Sequence, residues 1–248
     1  MGEVRVATWN VHGAVGLDRR CDPARIARVI GELDADVVAL QEVWAARGRT
    51  ADLCALLEDA AGARCVFVPT FDKRGQPFGN ALLTRLPLLH DAVLDLAVGR
   101  REPRNAIDAV VDAGGSPLRF IATHLGLGST ERRVQFERLA RGLRAQPTPC
   151  VVLGDFNVWR GQALFPALRE LDRLRSPATF PSALPVVALD RVLAHAPLRV
   201  RERRVHASRA ARIASDHRPL LATIDVGEAP AAGRGAADAQ PPSRASTR

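Results

Sequence analysis

An α/β chain of packed β-sheets with helices outside them is the fold class this sequence predicts, on three observations. Short apolar or β-branched runs recur along most of the chain. Only a few segments show helical periodicity. Turn residues such as Gly75-Gln76-Pro77 and Gly114-Gly115-Ser116-Pro117 separate neighbouring runs with no helix between them. A single, strictly alternating parallel sheet would need a helix after nearly every strand, so packed sheets fit better.

The elements follow in order. Residues 5–11, "RVATWNV", read as a first strand. Asp22 and Pro23 open a helix as N-cap and first position. Ile26, Val29, Ile30 and Leu33 then mark one buried helical face. The run 36–42, "DVVALQE", reads as a buried strand. A second helix is expected from near Thr50, burying Leu53, Leu56 and Leu57 and stopping at Gly62. Strands are expected at 65–70, 80–84, 91–96, 105–111 and 118–123, then a helix near 130–144 and the strand "CVVLGDFN" at 150–157. A short helix near 162–171 and strands near 188–194, 199–206 and 219–226 complete the domain, 1–226. From Gly227 the chain lacks Val, Ile, Leu and aromatics, so 227–248 is expected to be a disordered tail.

The chain has 248 residues, 47% hydrophobic and 25% charged, an ordinary globular composition. No run of about 18 apolar residues exists, and the N-terminus has no secretory pattern. The expectation is a cytoplasmic monomer without membrane insertion. Cys21, Cys54, Cys65 and Cys150 lack metal or disulfide spacing and are expected to be reduced and mostly buried. The net charge is +8, and the tail accounts for only one unit of it. That excess could attract polyanions such as DNA or RNA. However, Lys73 is the only lysine, so the excess also fits a compositional bias towards arginine.

Six strand endings share one property. Apolar runs terminate at Asn10, at Glu42, at His124, at Asp155 with Asn157, and at Asp190, while Asp216 and His217 immediately precede the last strand. A buried strand has no reason of its own to end in an ionisable group, since an unpaired buried charge is costly. Together the endings indicate one shared site. Hard oxygen donors suit Mg²⁺ or Mn²⁺. Histidines beside such donors could give protons or face developing negative charge. Neither a G-x-S-x-G elbow nor a P-loop occurs. The inventory suggests water attacking a phosphorus centre.

The ordered strings "TWNVHG", "ALQEVW", "GNALLTRLPL", "ATHLG", "LGDFN", "TFPS", "LDRVL" and "SDHRPL" span about residues 4–226. In this order they resemble the endonuclease/exonuclease/phosphatase superfamily, which includes deoxyribonuclease I. The resemblance implies a two-sheet sandwich of mixed β-sheets flanked by helices, with four layers α/β/β/α and the site where the sheets' loops converge. It implies metal-dependent phosphoester hydrolysis, a phosphodiesterase or nuclease above all. Glu42 would be the main metal ligand, supported by Asn10 and Asp216. Asp155 would orient or deprotonate the attacking water, and Asn157 would hold that aspartate or a substrate phosphate. His217, oriented by Asp190, would stabilise the transition state. His124 would contact phosphate or protonate the leaving oxygen. Asn80 and Arg104, with Asn105, are further candidate phosphate contacts. His12 departs from members that carry an acid there, which leaves its role open.

The family's substrates are diverse, so the resemblance supplies none. Zero tyrosines count against the abasic-site endonuclease branch. The motif "TFPS" before "LDRVL" resembles the small bacterial branch. Alternatives are a sphingomyelinase-like or inositol-phosphate-like hydrolase, and a nucleic-acid binder with a retired site. For a lipid enzyme, residues 68–80 are the expected apolar loop.

Overall fold

The computed structural model describes residues 2–44, 53–159, 168, 171 and 175–227. In chain order its elements are β1 (Glu3–Asn10), α1 (Pro23–Leu33), β2 (Val37–Trp44), α2 (Leu53–Ala61), β3 (Arg64–Asp72), β4 (Pro77–Thr84), β5 (Leu88–Asp95) and β6 (Asn105–Asp112). There follow β7 (Pro117–His124), α3 (Ser129–Arg144), β8 (Cys150–Asp155), β9 (Asp190–Ala194), β10 (Arg199–Val205), α4 (Ala211–Ala214) and β11 (Leu220–Asp225).

The strands form two mixed sheets, one ordered β10-β11-β1-β2-β4-β3 and the other β5-β6-β7-β8-β9. Alternation along the strands builds three apolar layers. Val4, Val6, Val37, Ala39 and Leu82 of the first sheet meet Ile107, Phe120, Val151 and Leu153 of the second. The next residues along, such as Trp9, Val38 and Leu40, face Ile26, Ile30 and Leu57 of α1 and α2. On the far side Ile121 and Val152 face Phe136 and Leu139 of α3. Both faces of the central strands are therefore covered, and their sequences are continuous apolar runs rather than alternating ones. The architecture is the expected four-layer α/β/β/α sandwich.

The pairing explains the strand endings. Each sheet contains one parallel pair, β1 with β2 and β7 with β8. Their neighbours β11, β4, β6 and β9 run antiparallel to them. The ends of β1, β2, β7 and β8 thus lie at the same edge as the starts of β4, β6, β9 and β11. The candidate residues sit at or near these positions or just outside them, except Asn80, which lies midway along β4. Gly154 fixes the β7–β8 contact next to the site: its φ is 147°, and a Cβ there would stand 1.9 Å from the Thr123 carbonyl oxygen. No other residue fits.

Several local expectations need revision. β8 stops at Asp155, so Phe156 and Asn157 leave the strand, whereas β4 and β5 begin earlier than their sequences suggested. Leu56 of α2 is half-buried. The helix expected near 162–171 lies outside the described residues apart from Leu168 and Leu171, as do the stretch around Thr50 and the tail beyond Gly227. None of the cysteines forms a disulfide, but Cys21 is exposed and only Cys150 is buried. His206 Nε2 lies 2.7 Å from Glu32 Oε2. No helix among the described residues is long and apolar enough to cross a membrane.

Candidate active site

Asp155, at the end of β8, stands at the centre with 1% of its surface exposed. Its Oδ1 accepts the backbone N–H of Asn157 at 2.9 Å. Its Oδ2 accepts Asn10 Nδ2 at 3.2 Å. The Nε2 atoms of His124 and His217 lie 3.5 and 3.8 Å from that same oxygen. Asn157 adopts φ 50°, a left-handed turn that asparagine tolerates. Its side chain donates to the Leu125 carbonyl at 2.9 Å. Burial pushes the Asp155 carboxyl up to about 6, against the opposing pull of the His217 charge.

His217 is held from every side. Its Nδ1 donates to Asp190 Oδ2 at 2.9 Å, and the Thr179 hydroxyl donates to the same oxygen. Its carbonyl accepts Trp9 Nε1 at 2.9 Å, and its N–H donates to Ser215 Oγ at 3.2 Å. Ser215 Oγ in turn donates to the Asn10 carbonyl at 2.7 Å, tying the β11 approach to β1. The ring of Phe180 lies 4.9 Å from the imidazole. Burial disfavours the His217 cation, yet Asp190, with Asp155 and Asp216 adding to it, pushes its pKa up to about 10. At neutral pH His217 is an imidazolium.

His124 is its opposite. Arg104 Nη1 lies 3.2 Å from His124 Nδ1. A guanidinium only donates, so Nδ1 accepts and Nε2 carries the proton. Burial first, then the Arg104 and His217 charges, hold His124 well below 6.5. Arg104 is itself paired with Glu102 at 2.9 Å. The site therefore contains one charged and one neutral histidine, both directed at Asp155.

Glu42 lies on a bulge of β2, where the pairing with β4 shifts between Leu40 and Val43, and it has φ 60°. Such a bulge re-aims a side chain. Glu42 Oε1 accepts Asn10 Nδ2 at 3.0 Å. Asn10 Oδ1 accepts the His12 N–H at 3.0 Å. The Asn10 amide thus links Glu42 to Asp155 through its nitrogen, with its oxygen turned to the backbone. Asp216, about one-third exposed, lies 3.8 Å from His12 Nδ1.

Two groups could hold a divalent cation. Asp155, Asp190 and His217 offer ligand atoms within 4.8 Å of one another. In that group, however, one histidine nitrogen and one carboxylate oxygen already share a proton. Glu42 and Asp216 flank Asn10 as half-buried carboxylates. Among the described residues Glu42 makes no hydrogen bond beyond that to Asn10. Free carboxylate oxygens of this kind match a hard cation such as Mg²⁺ or Mn²⁺.

Arg104 joins the Asp155 cluster only through His124, whereas Asn80 is tied to Asn105 instead. Asn80 Nδ2 donates to Asn105 Oδ1 at 2.9 Å, and Asn105 Nδ2 donates to the Pro69 carbonyl at 3.0 Å. These buried amides clip β4 of one sheet to β6 of the other. Sequence reasoning missed the parts played by Thr179, Ser215 and Phe180. All three stand in the quoted motifs "TFPS" and "SDHRPL", but the hydroxyls there read equally well as turn residues and the phenylalanine as core.

A four-layer sandwich with acids, amides and histidines gathered at its loop edge defines a deoxyribonuclease I-like fold. The model of the Endonuclease/Exonuclease/phosphatase family matches residues 7–217, and the chain belongs to that family. It is 29% identical to the uncharacterized protein YbhP of Escherichia coli over 254 residues, 90% of this chain and 96% of that one. A family protein from Beutenbergia cavernae superposes with a TM-score of 0.73 at 24% identity, covering 94% of this chain and 74% of that one. The mannosyl-6-phosphatase Bt3783 of Bacteroides thetaiotaomicron superposes with a TM-score of 0.71 at 18% identity, covering 89% and 99%.

Proposed function

We propose that the chain hydrolyses phosphodiesters with a divalent cation, Mg²⁺ or Mn²⁺, and a water activated by Asp155. The observation that carries this reading is the setting of Asp155. It is a buried carboxylate, fixed by two amide donors and faced by the Nε2 atoms of two histidines in opposite charge states. A general base works best when its pKa lies near the working pH, and burial raises Asp155 towards that range.

The residues divide the work. Asp155 takes the proton of the attacking water, with Asn157 and Asn10 holding its two oxygens. His217, kept cationic by Asp190, donates from Nε2 to the phosphoryl oxygen where negative charge builds up. Neutral His124 offers an Nε2–H hydrogen bond to the leaving oxygen while keeping its proton, and Arg104 fixes its tautomer. Glu42 and Asp216 would hold the cation, which when bound polarises a phosphoryl oxygen. Asn10 orients Glu42 for that role.

The test is hydrolysis of bis-p-nitrophenyl phosphate with Mg²⁺ or Mn²⁺. Asp155→Asn and His217→Asn should each lower kcat by about 10²–10⁴-fold while retaining the wild-type circular dichroism spectrum. EDTA should abolish wild-type turnover. Wild-type rates in EDTA, or in either variant, would overturn the mechanism.

A further inference from the structure

The large hydrophobic side chains that remain exposed are unevenly placed. Eight are exposed among the described residues. Leu89 and Val93 lie on the edge strand β5. The other six lie on the connections at the edge that carries the candidate site, five on loops and Ile213 on the single turn of α4. Leu17 follows β1, Leu127 follows β7, Trp159 follows β8, Leu184 and Val186 precede β9, and Ile213 precedes β11.

Contacts join these loops into one rim. Leu17 N–H donates to the Ile213 carbonyl at 2.9 Å. The 180–187 loop is fixed to the 212–218 segment: Ser182 N–H donates to the Asp216 carbonyl, and Arg218 Nε to the Ser182 carbonyl. Trp159, 45% exposed, stacks edge-on against Phe180, which itself lies on His217. Leu127 and Leu184 are 73% and 72% exposed. Of the exposed large hydrophobics among the described residues, Leu89 alone, at the start of β5, lies towards the opposite edge of the sandwich.

The unpaired charges beside Leu17 and Leu127 are basic. Arg19, Arg20, Arg100 and Arg101 are exposed there and form no ion pair among the described residues. Arg100 and Arg101 belong to the loop between β5 and β6, and Arg101 Nη1 reaches the Gly128 turn beside Leu127. The neighbouring acids are occupied, Asp18 by Arg25 at 2.8 Å and Glu102 by Arg104 at 2.9 Å. The surface therefore offers apolar tips and free guanidinium groups together.

We propose that this rim docks on an anionic phospholipid surface and sets the site against phosphate esters at the lipid–water interface. Apolar tips entering the acyl boundary and arginines pairing with anionic headgroups give the two contributions that interfacial binding requires. A single-stranded nucleic acid fits less well, because its sites use aromatic platforms in a charged groove. Five of the six tips here are aliphatic, and a Leu, Val or Ile tip cannot stack on a base. The loop expected from the sequence to reach a lipid, 68–80, does not supply this surface. Phe78 is buried and packs on Trp44 and Phe71.

The inference rests on the phosphodiesterase reading for what happens after docking, but docking can be measured without turnover. Co-sedimentation of the full chain with phosphatidylcholine–phosphatidylglycerol vesicles is compared with pure phosphatidylcholine. Hydrolysis of bis-p-nitrophenyl phosphate in solution is followed in parallel. The wild type should sediment with the anionic vesicles, and the double variant Leu127→Ser/Leu184→Ser should bind at least tenfold more weakly at an unchanged soluble rate. Arg100→Glu/Arg101→Glu should lose the preference for anionic vesicles. Absence of vesicle binding by the wild type, or binding unaffected by both double variants, would overturn the proposal. Parallel loss of single-stranded DNA hydrolysis in the leucine variant, without vesicle binding, would overturn it in favour of nucleic acid. Vesicle binding without any soluble hydrolysis would leave the docking surface standing and sink the catalytic reading instead.

Discussion

Two histidines 3.5 and 3.8 Å from one carboxylate oxygen end up in opposite protonation states, and their second nitrogens decide which. His217 meets a carboxylate there and is cationic, whereas His124 meets a guanidinium and is neutral. This difference predicts a pH effect on stability. His124 titrates near 6.5 when unfolded and well below that when folded, so in acid the unfolded chain binds the proton first. Its contribution is fully present above pH 6.5 and is lost as pH falls below that value. One such proton gives a slope of up to about 1.4 kcal/mol per pH unit. Asp155, raised by the same burial, acts in the opposite sense below pH 6, so the His124 contribution is isolated by difference. Thermal melts of wild type and His124→Gln from pH 7 to pH 5 should diverge, with the wild type losing Tm faster. Parallel pH dependences would show that His124 is not held neutral.

At the scale of elements, the residues at the strand ends were legible because their chemistry contradicts their setting. Asn10, Glu42, His124, Asp155 and Asp190 interrupt apolar runs, and the two parallel pairs bring them to one edge. The β2 bulge at Glu42 was not legible, because nothing in "VVALQEVW" marks a shift of register. Nor was α4, a single turn shaped by its contacts rather than by any periodicity of its own. The α3 attachment was equally hidden. Arg119, 1% exposed on β7, donates from Nε and Nη2 to both oxygens of Asp108 on β6. It also donates to the Gly142 carbonyl at 3.0 Å, close to the C-terminal end of α3. In sequence it reads as an ordinary arginine of a solvated strand face. Truncation would strand a half-buried aspartate and leave helix carbonyls unpaired. Arg119→Ala should cost about 3–5 kcal/mol in urea unfolding. A loss below about 1 kcal/mol, the range of an exposed pair, would refute this account.

At the scale of the whole molecule, the site belongs to neither sheet alone. Asn10, Glu42 and the segment containing Asp216 and His217 come from the first sheet, while His124, Asp155, Asn157 and Asp190 come from the second. The Asn10–Asp155 hydrogen bond and the Asn80–Asn105 pair cross between them. The alignment of these groups, to within a few tenths of an ångström, therefore depends on how the inner faces pack, and much less on how the helices pack outside. The sequence made the sandwich legible through its strand count and family motifs, but it could not say which apolar residues lie between the sheets. Phe120 and Phe136 test the difference with one chemical change. Both are fully buried, Phe120 between the sheets and Phe136 on α3, facing the outer side of the second sheet. Replacing either by leucine should destabilise the fold by a similar amount, on the order of 1–2 kcal/mol. Only Phe120→Leu lets one sheet resettle against the other, and small misplacements at a reacting centre can cost about a hundredfold in rate. At a temperature where both variants are fully folded, Phe120→Leu should lower kcat on a soluble phosphodiester at least tenfold, and Phe136→Leu by less than twofold. Equal kcat values for the two would mean that the site is rigid within each sheet and does not depend on the packing between them.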